Sequence, residues 1–239
     1  MGRNKSRLVV LSGAGISAES GLGTFRDKGG LWDQYDINEV ATPEAWERNP
    51  ELVLDFYNKR RELVIKAEPN PAHLALAELE KHYDVNIVTQ NIDDLHERAG
   101  SKNILHLHGE ILKAQCSYDP TEVIDINGAH LKLGDLSSNG YQLRPHVVWF
   151  GEPVPLMFDA EKIVSEADIF VVVGTSLNVY PAANLLYTCK KFCKKYIVDL
   201  NELSNVKFNN LTQFQGKATE RVPELVDELI KNPIIPTTL

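Results

Sequence analysis

Short apolar runs alternate with helical segments along most of the chain, and this alternation constrains the fold more than any other feature. The apolar runs predict buried strands, because each is short and is followed by glycine, serine, asparagine or another polar residue. They are RLVVLSG (7–13), VNIVTQN (85–91), NILHLHG (103–109), PHVVWFGE (145–152), DIFVVVGTS (168–176) and KYIVDLN (195–201). Strands separated by helices need crossover connections, so we expect an α/β fold of Rossmann type, with helices on both faces of a parallel sheet.

Helical periodicity predicts the connecting elements, with Asn70 as an N-cap and Pro71 as the first helical residue of one of them. These helices are expected at 14–21, 50–67, 70–82, 92–100, 159–167, 181–195 and 221–232. Two turn-rich stretches, 22–50 and 110–145, interrupt the alternation and predict insertions that build a smaller lobe. A hairpin around Asn127-Gly128 is expected there. We therefore expect a single domain over 1–239, with a Rossmann lobe at about 1–21, 71–111 and 146–239 and a small lobe at about 22–70 and 112–145.

Composition narrows the classes of partner. The 239 residues carry a net charge of −8 with both signs interspersed, which gives no electrostatic support for nucleic-acid binding. No apolar run is long enough to span a membrane, and the N-terminus enters the first strand without a signal-peptide pattern. The three cysteines, 116, 189 and 193, form no disulfide framework. We expect a cytoplasmic monomer with neither nucleic-acid nor membrane partners.

The sequence GAGISA (13–18) follows the first strand and matches the G-x-G-x-x-A form of a dinucleotide fingerprint. Glycines there allow a tight turn and close approach of the backbone to a pyrophosphate. A plain strand–turn–helix corner explains the same residues. Hydride-transfer enzymes place an acidic residue at the end of the second strand, whereas Asp33 lies in a loop, so a dehydrogenase is disfavoured.

Three further strand ends carry residues able to do chemistry. Asn91 and Asp93 lie where one strand ends, His108 closes another, and Gly174-Thr175-Ser176 ends a third. Each has a structural alternative, namely turn and capping roles for Asn91 and Asp93 and a buried core role for the histidine. Because the carboxyl ends of parallel strands meet at one edge, the four ends together predict a binding site.

The motifs GAGISAESG, TFR, TQNID, LHG, RPHVVWFGE and GTS resemble those of the sirtuin family in order and spacing, over essentially the whole chain. Sirtuins are NAD-dependent protein lysine deacylases with a Rossmann lobe and a smaller lobe that usually binds zinc. The resemblance implies NAD as cofactor and acyl-lysine proteins or peptides as substrates. It implies catalytic roles for His108, as the base that takes a proton from a ribose hydroxyl, and for Asn91, which positions the leaving nicotinamide.

The resemblance also implies the residues that contact NAD. They are Gly13, Ala14, Gly15, Ile16, Ala18, Glu19, Thr24, Phe25, Arg26, Trp32, Gln90, Asn91, Ile92, Asp93, Gly174, Thr175, Ser176, Asn201, Glu202 and Ala218. The substrate peptide is expected to pair with a strand that includes Val148, Phe150, Gly151 and Glu152.

Tyr57 and Arg60 lie three residues apart on a predicted helix. From the residues alone, a solvent-facing position is the expectation. The sirtuin subgroup that removes succinyl and malonyl groups carries Y-x-x-R at this place and a small residue, here Ala41, before Thr-Pro. The resemblance therefore implies a preference for succinyl, malonyl or glutaryl groups, with some acetyl activity, because arginine binds a carboxylate in a bidentate manner. Protein mono-ADP-ribosylation through the same NAD cleavage is the alternative activity, and a non-catalytic binding module is disfavoured by His108 and Asn91.

The chain departs from the family in its cysteines. Zinc-bearing sirtuins carry two cysteine pairs, whereas here Cys116 is followed by Asp119 at the partner position and the second pair is missing. We therefore expect no zinc. Cys189 and Cys193, at i and i+4 of a predicted helix, are expected to be ordinary thiols.

Overall fold

The computed structural model describes residues 5–24, 34–202, 208 and 210–235. Its main feature is a sheet of six parallel strands in the order β3-β2-β1-β7-β8-β9. The strands are β1 Arg7–Ser12, β2 Asp84–Thr89, β3 Ile104–His106, β7 Ile169–Val173, β8 Lys194–Asp199 and β9 Leu211–Gln215. β1 is central and buried along almost its whole length, as a strand covered on both faces must be.

Helices cover both faces of this sheet. α4 (Pro71–Glu78) and α8 (Ala218–Lys231) pack on one face, and α6 (Met157–Ser165) and α7 (Leu185–Thr188) pack on the other. The side chains of β1 alternate between the two cores, so Leu8 and Val10 join the first while Val9 and Leu11 join the second. The predicted Rossmann-type α/β fold is confirmed. No helix among the described residues has the length and apolar character needed to cross a membrane.

A second, antiparallel sheet of three strands has the order β5-β4-β6. Its strands are β4 Gly109–Cys116, β5 Val123–Asp125 and β6 Leu143–Val147. The remaining helices are α1 Ile37–Val40, α2 Pro43–Arg48, α3 Pro50–Lys66 and α5 Leu95–Arg98. α3 packs against this sheet through the buried Arg61, whose guanidinium donates to the carbonyl oxygens of Ile111 and Ala129 at 2.7 and 2.9 Å.

The helices over 50–67 and 70–82 form near their predicted bounds, and Asn70 caps α4 with Pro71 as its first residue. Two other predicted helices are wrong. Residues 14–21 form two short 3-10 turns, Ala14–Ile16 and Ala18–Ser20, which Gly21 ends in the left-handed conformation.

The segment 181–195 forms only a 3-10 turn and the four residues of α7. Cys189 is extended and Cys193 precedes β8, so the two cysteines are not on a helix. The reason is that β8 begins beside β7 at Lys194, opposite Ile169, so the chain has to reverse direction before that residue.

The hairpin expected around Asn127-Gly128 is also wrong. Gly128 adopts a positive φ of 86°, but β5 pairs with β4 rather than with the residues that follow the turn. The bond from Arg61 to the carbonyl oxygen of Ala129 holds the chain after the turn against α3 instead.

Candidate functional site

The loops that follow β1 and β7 touch each other through their backbones. The N–H groups of Gly13 and Gly15 donate to the carbonyl oxygens of Val173 and Gly174 at 3.0 and 2.9 Å. A Cβ on Gly174, whose φ is +61°, would lie 2.4 Å from the backbone nitrogen of Ile16. The glycines are therefore required by the contact between the two loops, in addition to the approach to a ligand that the fingerprint predicts.

A hydrogen-bonded group links the end of β2 to these loops. The Asn91 side-chain amide donates to the carbonyl oxygen of Gly13 at 3.2 Å and to the Ser17 hydroxyl at 3.1 Å. The Gln90 side-chain amide donates to the Thr175 hydroxyl at 3.2 Å. Three of the predicted strand ends thus meet at one edge of the sheet. Ser17, which sequence reasoning did not single out, lies at the centre, and its place inside the glycine fingerprint was the available signal.

Asp93 is almost fully buried beside this group. Burial raises the pKa of its carboxyl, while hydrogen bonds from the Leu95 N–H and the Ser17 hydroxyl and the charge of Arg60 act in the opposite direction. Burial likewise lowers the pKa of Arg60, although Asp93 and Tyr57 oppose that shift. A carboxyl group and a guanidinium therefore face each other in a poorly hydrated part of the site.

His108 lies in the turn just after β3, and not within a strand as predicted. Its Nδ1 is 3.0 Å from the carbonyl oxygen of Gln90, which can only accept, so the proton of the neutral ring is on Nδ1 and Nε2 carries the lone pair. Burial lowers the pKa of His108, and the bond to Gln90 opposes this effect. The ring is thus neutral near pH 7 and able to accept a proton at Nε2.

His106, two residues earlier, has a different environment. It is buried, with Nδ1 3.0 Å from the carbonyl oxygen of Asn91 and Nε2 2.8 Å from a carboxylate oxygen of Glu97. Burial favours the neutral ring and by itself lowers the pKa of His106. The hydrogen bond and the charge of the Glu97 carboxylate act in the opposite direction, and the pKa of His106 is raised. Both ring nitrogens are occupied, so His106 supports the turn that carries His108.

Some other residues predicted to contact NAD have structural partners. The Ile16 side chain is buried in the core, as is that of Ala218 at the start of α8. The Glu19 carboxylate accepts from the N–H and the hydroxyl of Thr219, at 3.1 and 2.9 Å, and so caps α8. Ala14 is partly exposed beside the glycines.

The rest of this set lies at or near strand ends, or outside the described chain. Asn201 and the exposed Glu202 follow β8, and the Asn201 N–H donates to the Asp199 carboxylate at 3.0 Å. Ile92 offers its carbonyl oxygen to the N–H of Ile111 at 2.8 Å. Partly exposed positions on these loops are Ala18, Thr24 and Ser176. Phe25, Arg26 and Trp32 lie outside the described residues.

The predicted substrate segment follows β6. The expected strand through Glu152 is wrong, because β6 ends at Val147 and a turn follows in which the Glu152 N–H donates to the carbonyl oxygen of Trp149 and Gly151 has a φ of +91°. The backbone of this turn already has partners within the chain, since Val148 donates to the carbonyl oxygen of His108 and Phe150 to that of Ala41, both at 3.0 Å.

An ion pair that sequence reasoning missed shapes this turn. Arg144 binds the Glu152 carboxylate with two nitrogens, at 2.7 and 3.0 Å, and its guanidinium lies 3.5 Å over the ring of Trp149. Glu152 also accepts from the Trp149 N–H at 2.7 Å. The Glu152 side chain is therefore engaged inside the protein.

Tyr57 and Arg60 do not face solvent, so the expectation from helical position alone is wrong. Tyr57 is 2% exposed and packs in one cluster with Ala41, Val147 and Trp149. Burial raises its pKa, so the phenol stays protonated and can donate. Arg60 is partly buried, and its guanidinium is close enough to Asp93 and Tyr57 for both to oppose the lowering of its pKa.

The residue Cys116, at the end of β4, is enclosed in the small sheet, and its sulfur accepts from the Asp119 N–H at 3.4 Å. Within the described ranges, no group of three or more His, Cys, Asp or Glu side chains is placed to hold a metal ion.

Comparison with known proteins decides the family. The Sir2 family profile matches residues 13–181. The chain belongs to the Sir2 family. A relative from Helicobacter pylori, named NAD-dependent protein deacylase, is 51% identical over 224 residues that cover 94% of this chain and 95% of the relative. The NAD-dependent protein deacylase SIR2rp3 of Leishmania major is 47% identical over 240 residues, covering 95% and 97%.

Solved structures of Sir2 proteins agree with this assignment. A Sir2 homologue in complex with NAD has a TM-score of 0.86 at 40% identity and covers 95% of this chain and 91% of its own. A Sir2 protein with a deacetylated p53 peptide and 3′-O-acetyl ADP-ribose has a TM-score of 0.76 at 30% identity, covering 94% of each chain. NAD is accordingly the cofactor of this Sir2 chain.

The residues at the sheet edge fit that cofactor. The glycines let the backbones of the β1 and β7 loops meet at this edge, beside Gln90, Asn91 and Thr175. Thr175, Gln90 and Asn91 offer hydroxyl and amide groups, which suit a ribose and a carboxamide.

Proposed function

We propose that this chain is an NAD-dependent protein lysine deacylase that prefers acyl groups ending in a carboxylate, namely succinyl, malonyl or glutaryl. The NAD-dependent protein deacylase activity follows from membership of the Sir2 family. The acyl preference goes further. The observation that carries it is the buried Tyr57 with the partly buried Arg60, whose guanidinium Asp93 and Tyr57 influence at the sheet edge.

The chain's own groups support the chemistry of deacylation. Bound NAD supplies an electrophilic ribose carbon and the hydroxyls that receive the acyl group. Asn91, fixed by Gly13 and Ser17, is positioned to orient the cofactor amide and a water molecule. His108, neutral and with Nε2 available, takes a proton from a ribose hydroxyl. Substrate backbone is expected to contact the turn at Val148–Glu152, whose shape the pair of Arg144 and Glu152 maintains.

The preference for acidic acyl groups rests on burial and charge. The Arg60 guanidinium stays charged even though burial lowers its pKa. Because the side chain is partly buried, this charged group has lost part of its hydration in the folded protein. A carboxylate arriving at Arg60 restores favourable interactions, and the protonated Tyr57 hydroxyl adds a donor. Ala41, in the same cluster, leaves space that a larger side chain would occupy.

An acyl-peptide panel tests the proposal. Peptides that carry acetyl-, succinyl-, malonyl- or glutaryl-lysine are incubated with the chain, with and without NAD, and products are followed by mass spectrometry. The expected result is NAD-dependent release of lysine peptide and O-acyl-ADP-ribose, faster for the acidic groups. ADP-ribose attached to protein, with no acyl-ADP-ribose in solution, would instead identify a mono-ADP-ribosyltransferase.

Substitutions separate the acyl preference from the deacylase activity. Arg60→Met should reduce kcat/KM for succinyl-lysine by about a hundredfold, because the loss of a charge-assisted pair is worth about 2–3 kcal/mol. Acetyl-lysine should be affected far less. Arg48→Met, at an exposed arginine of α2, is the matched control and should change neither. Equal losses on the two substrates for Arg60→Met would show that this side chain does not recognise the carboxylate.

A further inference from the structure

A cavity of about 470 Å³ lies far from the NAD site, beside the segment that joins α7 to β8. Its described lining includes Cys189, Phe208 and the lysines Lys190, Lys191 and Lys194. The segment lies at the edge where β7 and β8 begin, whereas the site described above lies where the strands end. Neither the fold nor deacylation explains a thiol in this cationic recess.

Two thiols meet at this cavity. Cys193 is buried, and its backbone N–H donates to the carbonyl oxygen of Lys190 at 3.0 Å, which closes a tight turn directly after Cys189. The turn brings the Cys189 and Cys193 thiols within hydrogen-bonding reach of each other. Each sulfur also lies near a backbone carbonyl oxygen, Cys189 at 3.2 Å from that of Leu186 and Cys193 at 3.6 Å from that of Lys194. Cys189 lines the cavity, whereas Cys193 lies behind it in the core.

A buried cation accompanies the pair. Lys195 is 3% exposed, its ammonium donates to the carbonyl oxygen of Cys193 at 3.2 Å, and it lies 5.0 Å over the ring of Phe208. The hydrogen bond from Cys193 lowers the pKa of Cys189, with a further contribution from Lys195 against the effect of burial. The same shared hydrogen bond, burial and the Asp168 carboxylate raise the pKa of Cys193, although Lys195 opposes them, so Cys189 is the thiol of the pair that loses its proton first.

We propose that Cys189 is a site of oxidation by peroxide and that Cys193 is its resolving partner. The Cys189 thiolate attacks one oxygen of hydrogen peroxide, the O–O bond breaks, and the leaving hydroxide takes up a proton as water. Sulfur is oxidised to a sulfenic acid while the peroxide is reduced. Cys193 then loses its proton and attacks the sulfenic sulfur, which forms the disulfide and releases a second water.

The lowered pKa makes Cys189 more reactive. It increases the fraction of thiolate near neutral pH, and the thiolate is the form that attacks peroxide. The lower basicity of the sulfur offsets part of that gain. Cys189 should therefore react with peroxide faster than the enclosed Cys116.

The test treats the full reduced chain with an equimolar amount of hydrogen peroxide, then alkylates the remaining thiols under denaturing conditions and maps the peptides by mass spectrometry. The expected product is a Cys189–Cys193 disulfide, with Cys116 still reduced because its side chain is enclosed. In Cys193→Ser, which lacks the resolving thiol, a sulfenic acid at Cys189 should be trapped by dimedone.

The pH dependence of alkylation tests the role of the lysine. Alkylation of Cys189 in the native chain should show an inflection below the ordinary thiol value of about 8.5, which Lys195→Met moves upward and Lys195→Arg leaves in place. A reduced pair after peroxide treatment, oxidation of Cys116 at an equal rate, or an inflection at or above about pH 8.5 in the parent would each overturn the proposal. NAD-dependent deacylation by Cys193→Ser, far from the site, shows that the variant is folded.

Discussion

The histidine His73, buried in α4, should make the protein sensitive to mild acid. It is 0% exposed, its Nδ1 accepts from the Asn70 N–H at 3.3 Å, and its ring contacts that of His96 with centroids 5.0 Å apart. Burial lowers the pKa of His73 to about 4. Protonation at Nδ1 would place an N–H against the Asn70 N–H and break the cap of α4.

The sign and size of the effect follow from proton linkage. In the unfolded chain the histidine has its ordinary pKa of about 6.5, so acid favours unfolding, and the loss begins as the pH falls through that value. With a folded pKa of about 4, His73 removes about 2 kcal/mol of unfolding free energy between pH 8 and pH 5. His96, whose pKa is also lowered, acts in the same direction. His106, whose pKa Glu97 raises, acts in the opposite direction.

Comparison of variants isolates the contribution of His73. Urea unfolding of the parent and of His73→Leu, followed by far-UV circular dichroism at pH 8, 6.5, 5.5 and 5, gives the pH dependence of each. The variant loses the acceptor for Asn70 at every pH, so its stability is lower throughout. Its additional loss between pH 8 and pH 5 should be smaller than that of the parent by about 2 kcal/mol.

The exposed His82 provides the matched control. His82→Leu should reproduce the parent's pH dependence. If His73→Leu has the same pH dependence as the parent, His73 is not the group that opposes protonation, and the argument from burial fails.

Other substitutions test the site. Gly174→Ala places a Cβ 2.4 Å from the Ile16 nitrogen, so we expect a lower melting temperature and a smaller stabilisation by NAD in thermal unfolding. His108→Asn should bind NAD by calorimetry but lose nearly all deacylation. In the parent, kcat/KM should fall in acid, with a midpoint below the ordinary histidine value of about 6.5, because the base must be neutral and burial lowers its pKa. Arg144→Met should raise the peptide KM about tenfold, which corresponds to about 1.4 kcal/mol, because the turn that contacts the peptide loses the ion pair with Glu152. The NAD dissociation constant should not change. Elemental analysis should find far less than one zinc per chain, and dialysis against EDTA should leave the melting temperature unchanged.

Most of the parallel sheet could be predicted because its strands are short apolar runs with polar ends. The run at 145–152 has the same pattern, but its assignment to the parallel sheet is wrong, since it contributes to β6 of the antiparallel sheet. β9 was missed, since LTQFQ alternates polar and apolar residues at the edge of the sheet and lacks the apolar run of a central strand. β4 was also missed, because GEILKAQC mixes polar and apolar residues, and its strand state depends on pairing with β6 across a bulge. Local sequence carries little information about such pairings.

Much of the site could be anticipated from strand ends, and the resemblance supplied the rest. Hydrogen bonds and ion pairs between side chains from distant segments could not be anticipated. The motif predicts that Glu152 contacts the substrate, but its carboxylate binds Arg144. The motif predicts that Glu19 contacts the cofactor, but its carboxylate binds Thr219, two hundred positions later in the sequence. A side chain's partner depends on which distant segments the fold brings together.

The hydrogen bond between Glu19 and Thr219 joins segments near the two ends of the described chain, and this has a consequence for folding during synthesis. α8 is translated after every other described element, yet its Val222, Leu225 and Leu229 complete the core that covers β1. During synthesis, one apolar face of the nascent sheet therefore stays exposed to solvent until α8 has left the ribosomal exit tunnel. Contacts between segments so far apart in the sequence slow folding and lengthen the exposure of aggregation-prone surface. Newly synthesised chains should depend on chaperones at this stage more than their final stability suggests.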